Sequence, residues 1–215
     1  NNVHVVGMYE ADVIIDNEIE VIPFISGTGG IRKAFSLTFD KDGNYVKHYA
    51  ISCSPSEVWF TSVDVDSGLN QYFGGEFNGT CDFDSGLASY SLTSVGSGDQ
   101  SFVTKVSGWG SHNWTRTFES PNSSRTVSVK VDGYCNVYTL GTFDGNVDLN
   151  PGIAVENNIG SPSTVNAFLS KINAFGIYVW GRTIEGALIS PYGKTGNANV
   201  TDLYVDSVGT AYVLG

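Results

Sequence analysis

The chain has 215 residues, 41% of them apolar, which suits one or two domains with a sizeable core. Its 22 acidic against 11 basic side chains leave a formal net charge of −11, which argues against nucleic-acid binding through clustered Lys and Arg and against docking on anionic lipid. No apolar run approaches the ~18 residues that a membrane-spanning helix needs. With 26 Gly, one Met, abundant Ser, Thr, Asn, Asp and Val, and few helix formers, the residue choice is that of strands and turns.

The N-terminus, Asn1-Asn2-Val3-His4, has no initiator Met, basic flank or apolar signal segment, so a signal peptide or an earlier domain is expected before it. The first strand, Val3–Gly7, is an alternating run closed by glycine. It recurs at Gln71–Gly75, Val137–Gly141 and Ala211–Gly215, with glycine steps of 68, 66 and 74 residues. An Asp that opens a tight turn precedes three of these runs, at Asp66, Asp132 and Asp206. A Phe-bearing strand follows, at 34–39, 101–106 and 167–172, and then an outer strand, at 45–50, 114–118 and 180–184. Four short strands per unit predict an all-β protein, with β-propeller blades of four antiparallel strands. Solenoid coils are usually shorter, and a two-sheet sandwich would not need one motif repeated in phase. Long hairpin inserts separate the second and third strands at 8–31, 76–100 and 142–165, and are expected to project from one face. The chain is one segment, 1–215, of about three repeats (1–68, 69–134 and 135–215). Two complete blades are flanked by two incomplete ones. Closed propellers use ~4–8 blades, so further blades or further copies of the chain are expected to complete the ring.

Gly145-Asn146-Val147-Asp148-Leu149-Asn150-Pro151-Gly152, followed by Ala167–Ile172 and Asp202–Asp206, resembles the bacterial seven-bladed β-propeller (SBBP) repeat, a relative of NHL-type propellers. The resemblance covers most of the chain and is weakest at 8–31 and 51–60. It implies a large secreted or surface-attached protein, inner strands on either side of the Asp turns, and no catalytic signature.

The chemistry-bearing residues are mostly read as structural. His4, His48 and His112 fall at unrelated repeat positions without metal-ligand spacing. Gly27-Thr28-Gly29-Gly30 is a turn, since no helix follows it to form a phosphate cradle. Asp40 and Asp42 resemble the start of a calcium loop but suit a hairpin turn better. The pairs Asp64/Asp66 and Asp82/Asp84 share strand faces and are weighed as calcium ligands, as a glycosidase acid pair, or as turn caps. Asp16 and Asp148, with Asp82 and Asp84, recur in the inserts and are candidate ligand contacts. Trp114 and Trp180 recur two residues before Arg116 and Arg182, which permits stacking. Trp59 and Trp109 have no repeat counterpart and are candidates to line a sugar site. Of three cysteines, Cys53 and Cys81 are expected to pair, while Cys135 is expected to begin an inner strand and to be buried. The sequons at Asn78, Asn113, Asn122 and Asn199 are candidate glycosylation sites.

The leading reading is a non-enzymatic extracellular or cell-surface structural or protein-interaction module. Its expected partners are proteins or copies of itself, with no nucleic acid and no membrane insertion. A carbohydrate-binding propeller is the alternative, and a glycoside hydrolase or lyase the third. No cofactor is expected beyond a calcium ion.

Overall fold

A computed structural model of the chain describes residues 2–10, 13–16, 21–25, 31–53, 55–151, 157–159, 165–185, 188–189, 194–195 and 197–215. In chain order the strands are β1 (Val3–Tyr9), β2 (Val13–Asp16), β3 (Val21–Ile25), β4 (Lys33–Phe39), β5 (Tyr45–Cys53), β6 (Val58–Val65) and β7 (Gln71–Phe77). Next come β8 (Thr80–Asp82), β9 (Ser91–Thr93), β10 (Gln100–Val106), β11 (His112–Phe118), β12 (Ser124–Val131), β13 (Val137–Asp144), β14 (Asn146–Asp148) and β15 (Asn157–Ile159). The last are β16 (Val165–Ile172), β17 (Tyr178–Ile184), β18 (Leu188–Ile189), β19 (Lys194–Thr195), β20 (Asp202–Val205) and β21 (Ala211–Leu214). The described residues are all-β, without a helix, as the composition predicts.

Two four-stranded antiparallel sheets, β6-β7-β10-β11 and β12-β13-β16-β17, follow chain order across the sheet. The sheet β1-β4-β5 precedes them and the hairpin β20-β21 follows. The sheets stack face to face over three apolar clusters. The first joins Tyr49 and Ile51 to Phe60, Phe73 and Phe102. The second joins Tyr72 and Trp114 to Val129, Val137 and Phe168. The third joins Tyr138 and Leu140 to Leu203. First strands of successive sheets touch directly, β6 on β12 and β12 on β20, while no pair of outer strands makes comparable contact. The sheets therefore fan out from their first strands.

The recurring glycine and phenylalanine form one packing unit. Gly7 pairs with Phe35, Gly75 with Phe102 and Gly141 with Phe168, in register across the second and third strands. A Cβ at Gly75 would strike the Trp59 carbonyl and the Phe102 ring; at Gly141 it would strike the Arg125 carbonyl and Phe168. The missing side chain also lets the first strand bulge at this level, between Phe60 and Ser62 and between Thr126 and Ser128.

One five-residue turn closes six hairpins, at 40–44, 66–70, 107–111, 132–136, 173–177 and 206–210. In each, the fourth residue's amide donates to the first residue's carbonyl, and the first residue's amide donates to the fifth residue's carbonyl. This is a type I turn followed by a left-handed residue. Glycine takes the left-handed position at Gly43, Gly110, Gly176 and Gly209, but Leu69 (φ 64°) and Cys135 (φ 61°) take it in the other two. In five of the six, the opening side chain, Asp40, Asp66, Asp132, Asn173 or Asp206, accepts two of the turn's amides.

Two expectations need correction. Cys135 does not begin a strand: it is the left-handed residue of a turn, and it is half-buried beside Asp66. The insert hairpin β8-β9 does not project from a face. It folds back along the edge of β5 and extends the preceding sheet to five strands. Cys53 and Cys81 lie opposite each other in that pairing and form a disulfide, with a Cα–Cα distance of 4.1 Å. The hairpin β14-β15 repeats the position, since the Asp148 amide donates to the Glu119 carbonyl just beyond β11. The Gly27–Gly30 segment lies outside the described residues.

Gly141→Ala is expected to cost about 2–3 kcal/mol through overpacking against backbone and ring. Leu69→Gly should raise stability by up to about 1 kcal/mol by relieving the left-handed backbone. Urea unfolding of both variants measures each sign. Reducing the Cys53–Cys81 bond, which closes a loop of 28 residues, should lower stability by roughly 3 kcal/mol in the chain-entropy model, read as a lower urea midpoint under reducing conditions.

Candidate functional site

The end of the molecule opposite the six turns is where β6 and β12 begin and β7 and β13 end. Trp59 on β6 stands in register with Glu76 on β7, and Arg125 on β12 with Thr142 on β13. Glu76 points from the second sheet toward the third. Its Oε2 lies 3.6 Å from Arg125 Nε, too far for a hydrogen bond, and this buried oxygen has no hydrogen-bond partner. Burial pushes the carboxyl up to about 7; the Arg125 charge opposes the shift, the Asp99 charge adds to it, and the Trp59 indole opposes it. A buried carboxyl with one orphaned oxygen near neutral protonation, it is the most strongly shifted carboxyl among the described residues.

Arg125 keeps most of its side chain in solvent and lines a cleft of about 320 Å³ with Thr142, Asp144 and Asn199. The arrangement can offer a guanidinium and hydroxyls to a polar ligand, backed by the Glu76 carboxyl. Asn199 is exposed, so a glycan attached there would stand at the mouth of this cleft. A second cleft, of about 310 Å³, lies beside the β8-β9 hairpin and is lined by Tyr9, Lys33, Asp82 and Asp84. Burial pushes the Tyr9 hydroxyl up to about 12.

The structure assigns turn and inter-sheet work to most of the acids singled out from sequence. Asp40 accepts the Asp42 and Asn44 amides, and Asp42 pairs with Lys41. Asp82 accepts the Asp84 and Tyr90 amides, and Asp148 accepts the Asn150 amide. These caps turn the chain so that Phe83 and Leu149 enter the core between sheets. Asp84 in turn accepts the Gly86 amide. Asp64 accepts the Val131 amide, and Ser62 the Val129 amide, so side chains of β6 satisfy the inner edge of β12. Asp16 closes β2 opposite Val21, and its side chain is outside the described residues. Among the described residues, no three of His, Cys, Asp and Glu converge as a metal site would require.

At the turn end, Asp66 and Asp132 each hold an Asn amide and the hydroxyl of a buried tyrosine, Tyr72 or Tyr138. Burial acts to raise both carboxyls, but the Asn side chains and turn amides, with the Tyr72 hydroxyl for Asp66 and the Lys171 charge for Asp132, outweigh it and hold them low. Trp114 and Arg116 stack at 5.7 Å, Trp180 and Arg182 at 5.9 Å. Trp114 is buried, and its indole N–H donates to the Ala174 carbonyl in the next sheet's turn. Trp109 stands apart at a turn tip, 96% exposed. Of the sequons, Asn113 and Asn122 are exposed and Asn78 is half-buried. Sequence reasoning passes over Glu76. The available signal is a carboxylate where the equivalent positions hold Met8 and Thr142, directly after the recurring glycine.

No family model matches the chain. An uncharacterized WD repeat-containing protein of Acanthamoeba polyphaga mimivirus is 25% identical over 207 residues, an alignment that takes in 84% of this chain. The chain spans 14% of the length of that relative.

The folded-state pKa of Glu76 lies above its unfolded value, so its contribution to stability is intact at low pH and is lost as pH rises from about 4.5 through 7. The loss should reach roughly 3 kcal/mol at most. Glu76→Gln is expected to remove that slope, which denaturation midpoints of both proteins between pH 4.5 and 8 would measure. Parallel curves would disprove the assignment.

Proposed function

We propose that the chain is a segment of a β-propeller serving protein interaction outside the cell or at its surface, with no catalytic role of its own. One comparison carries the propeller part. Tyr72 and Tyr138, equivalent residues of β7 and β13, are fully buried by the next sheet, while their counterpart Tyr212 on β21 is 57% exposed. At the other end Val5 is 42% exposed, where its counterparts Phe73 and Thr139 are fully buried by the preceding sheet. Both end faces therefore have the composition of an internal sheet contact without its cover, and sheets of the same kind fit them. The resemblance to SBBP repeats and the partial identity to a WD repeat-containing protein both support this arrangement. The disulfide and the exposed sequons at Asn113, Asn122 and Asn199 support an oxidising, extracellular setting.

A carbohydrate-binding reading has one specific support, the cleft at Arg125 with Trp59 and Glu76 behind it. It remains second because the Glu76 oxygen is sealed from solvent.

Hydrogen exchange tests the leading reading. In the longest chain or assembly that contains these residues, the amides of Val3–Tyr9 and Ala211–Leu214 should exchange at least ten-fold more slowly than in the isolated 215-residue chain. Equal exchange in both would overturn the propeller segment.

A further inference from the structure

The six turns lie at one end of the sheets, and their tips share a feature the fold does not use. Leu69, Trp109, Tyr134, Phe175 and Val208, one in each of five turns, are between 65% and 96% exposed. Single exposed apolar residues are ordinary. These occupy the third or fourth place of one repeated turn, at one end of the molecule. Leu69 adds an independent observation. It holds the left-handed position that glycine takes in four of the equivalent turns, so the backbone is strained to present an exposed leucine. At 65% exposure the leucine side chain buries only a minor part of its surface.

Charge is the second feature. In a chain of net −11, Asp66 and Asp132 of these turns are drawn inward, while Asp40 and Asp206 are held by turn amides at the surface. The Asp40, Asp66, Asp132 and Asp206 carboxylates accept turn amides, and Lys41 pairs with Asp42. Three of the lysines nearest this end are engaged, Lys47 with the Gly108 carbonyl, Lys105 with the Ala174 carbonyl and Lys171 with Asp132, and Lys130 on β12 is half-buried. In five of the six turns the tips left outward are Trp, Tyr, Phe, Leu and Val among Gly, Ser and Asn, and the sixth carries the Lys41–Asp42 pair.

We propose that this turn-bearing end docks on a neutral phospholipid surface, with the five tips seated at the headgroup level. Aromatic rings with one polar edge favour that depth. A bilayer interface accepts separate protruding side chains, whereas a protein partner must supply a socket for each. The turns are held by their own side-chain caps, so docking orders little further. The one outward basic side chain of the turns, Lys41, is paired with Asp42, so this end offers no net positive charge and neutral lipid is favoured over anionic.

The test is co-sedimentation of the 215-residue chain with phosphatidylcholine vesicles. The wild type should pellet with them, and adding phosphatidylserine should not increase binding. The triple variant Trp109→Ser, Tyr134→Ser, Phe175→Ser should lose at least ten-fold in partitioning while keeping its thermal midpoint. Met8→Ser, on β1 near the opposite end, should bind as the wild type does. Brominated phosphatidylcholine should quench part of the tryptophan emission, and Trp109→Phe should abolish that part. The proposal is overturned if the wild type ignores vesicles, if binding requires phosphatidylserine, or if the triple variant binds unchanged. A protein partner lost by the triple variant in the absence of vesicle binding would also overturn it. None of these results affects the exchange comparison at the end faces, so failure here and failure of the propeller reading are separable.

Discussion

The contact on which the other packing depends is the glycine of each second strand facing the phenylalanine of the third. The Phe ring lies over a backbone that has no side chain, and the first strand closes in from the other side at its bulge. Phe102 belongs to the cluster between the first and second sheets, and Phe168 to the cluster between the second and third. One small residue per sheet thus sets the depth at which an aromatic ring enters, and with it the separation of neighbouring sheets. A side chain at that point would displace backbone, which interiors at crystal-like density accommodate poorly.

A second layer of order is polar and runs along the first strands. β6 and β12 are inner edges, whose outward N–H groups would be unpaired in a flat sheet. Ser62 and Asp64 reach across to the amides of Val129 and Val131, while Thr61 donates to the Thr126 carbonyl. Asp66 and Asp132 extend the scheme into the turns, where each binds the hydroxyl of a tyrosine buried against the next sheet. Asp64, Asp66 and Asp132 therefore act as internal scaffolding in this strongly acidic chain. Glu76 is the exception: it enters the contact between the second and third sheets with one oxygen unmatched, and so couples that contact to protonation near neutral pH.

Where the sequence was informative, the signal was local and repeated. Glycine steps, the Asp that opens four of the turns and the alternation of the Phe-bearing strands all reflect backbone geometry that a few adjacent residues dictate. The Cys53–Cys81 pairing was legible because an outer-strand end and the following insert recur at fixed offsets. Local patterns misplaced Cys135, because a left-handed position normally announces itself with glycine. The amide hydrogen bonds that Asp82 and Asp148 accept were not legible either, because only the folded hairpin sets the direction of those amides.

By itself the amino-acid sequence determined the all-β class, the period, the place of each tight turn and the residues free to pair as a disulfide, since strand alternation and turn chemistry act over a few bonds. Only the tertiary structure decided that the inserts fold back along neighbouring edges, that Glu76 loses solvent on both sides, and that the apolar turn tips gather at one end. Each of these depends on which surfaces meet across tens of residues of chain, 28 of them at the disulfide, and that distance carries no local pattern for a sequence to display.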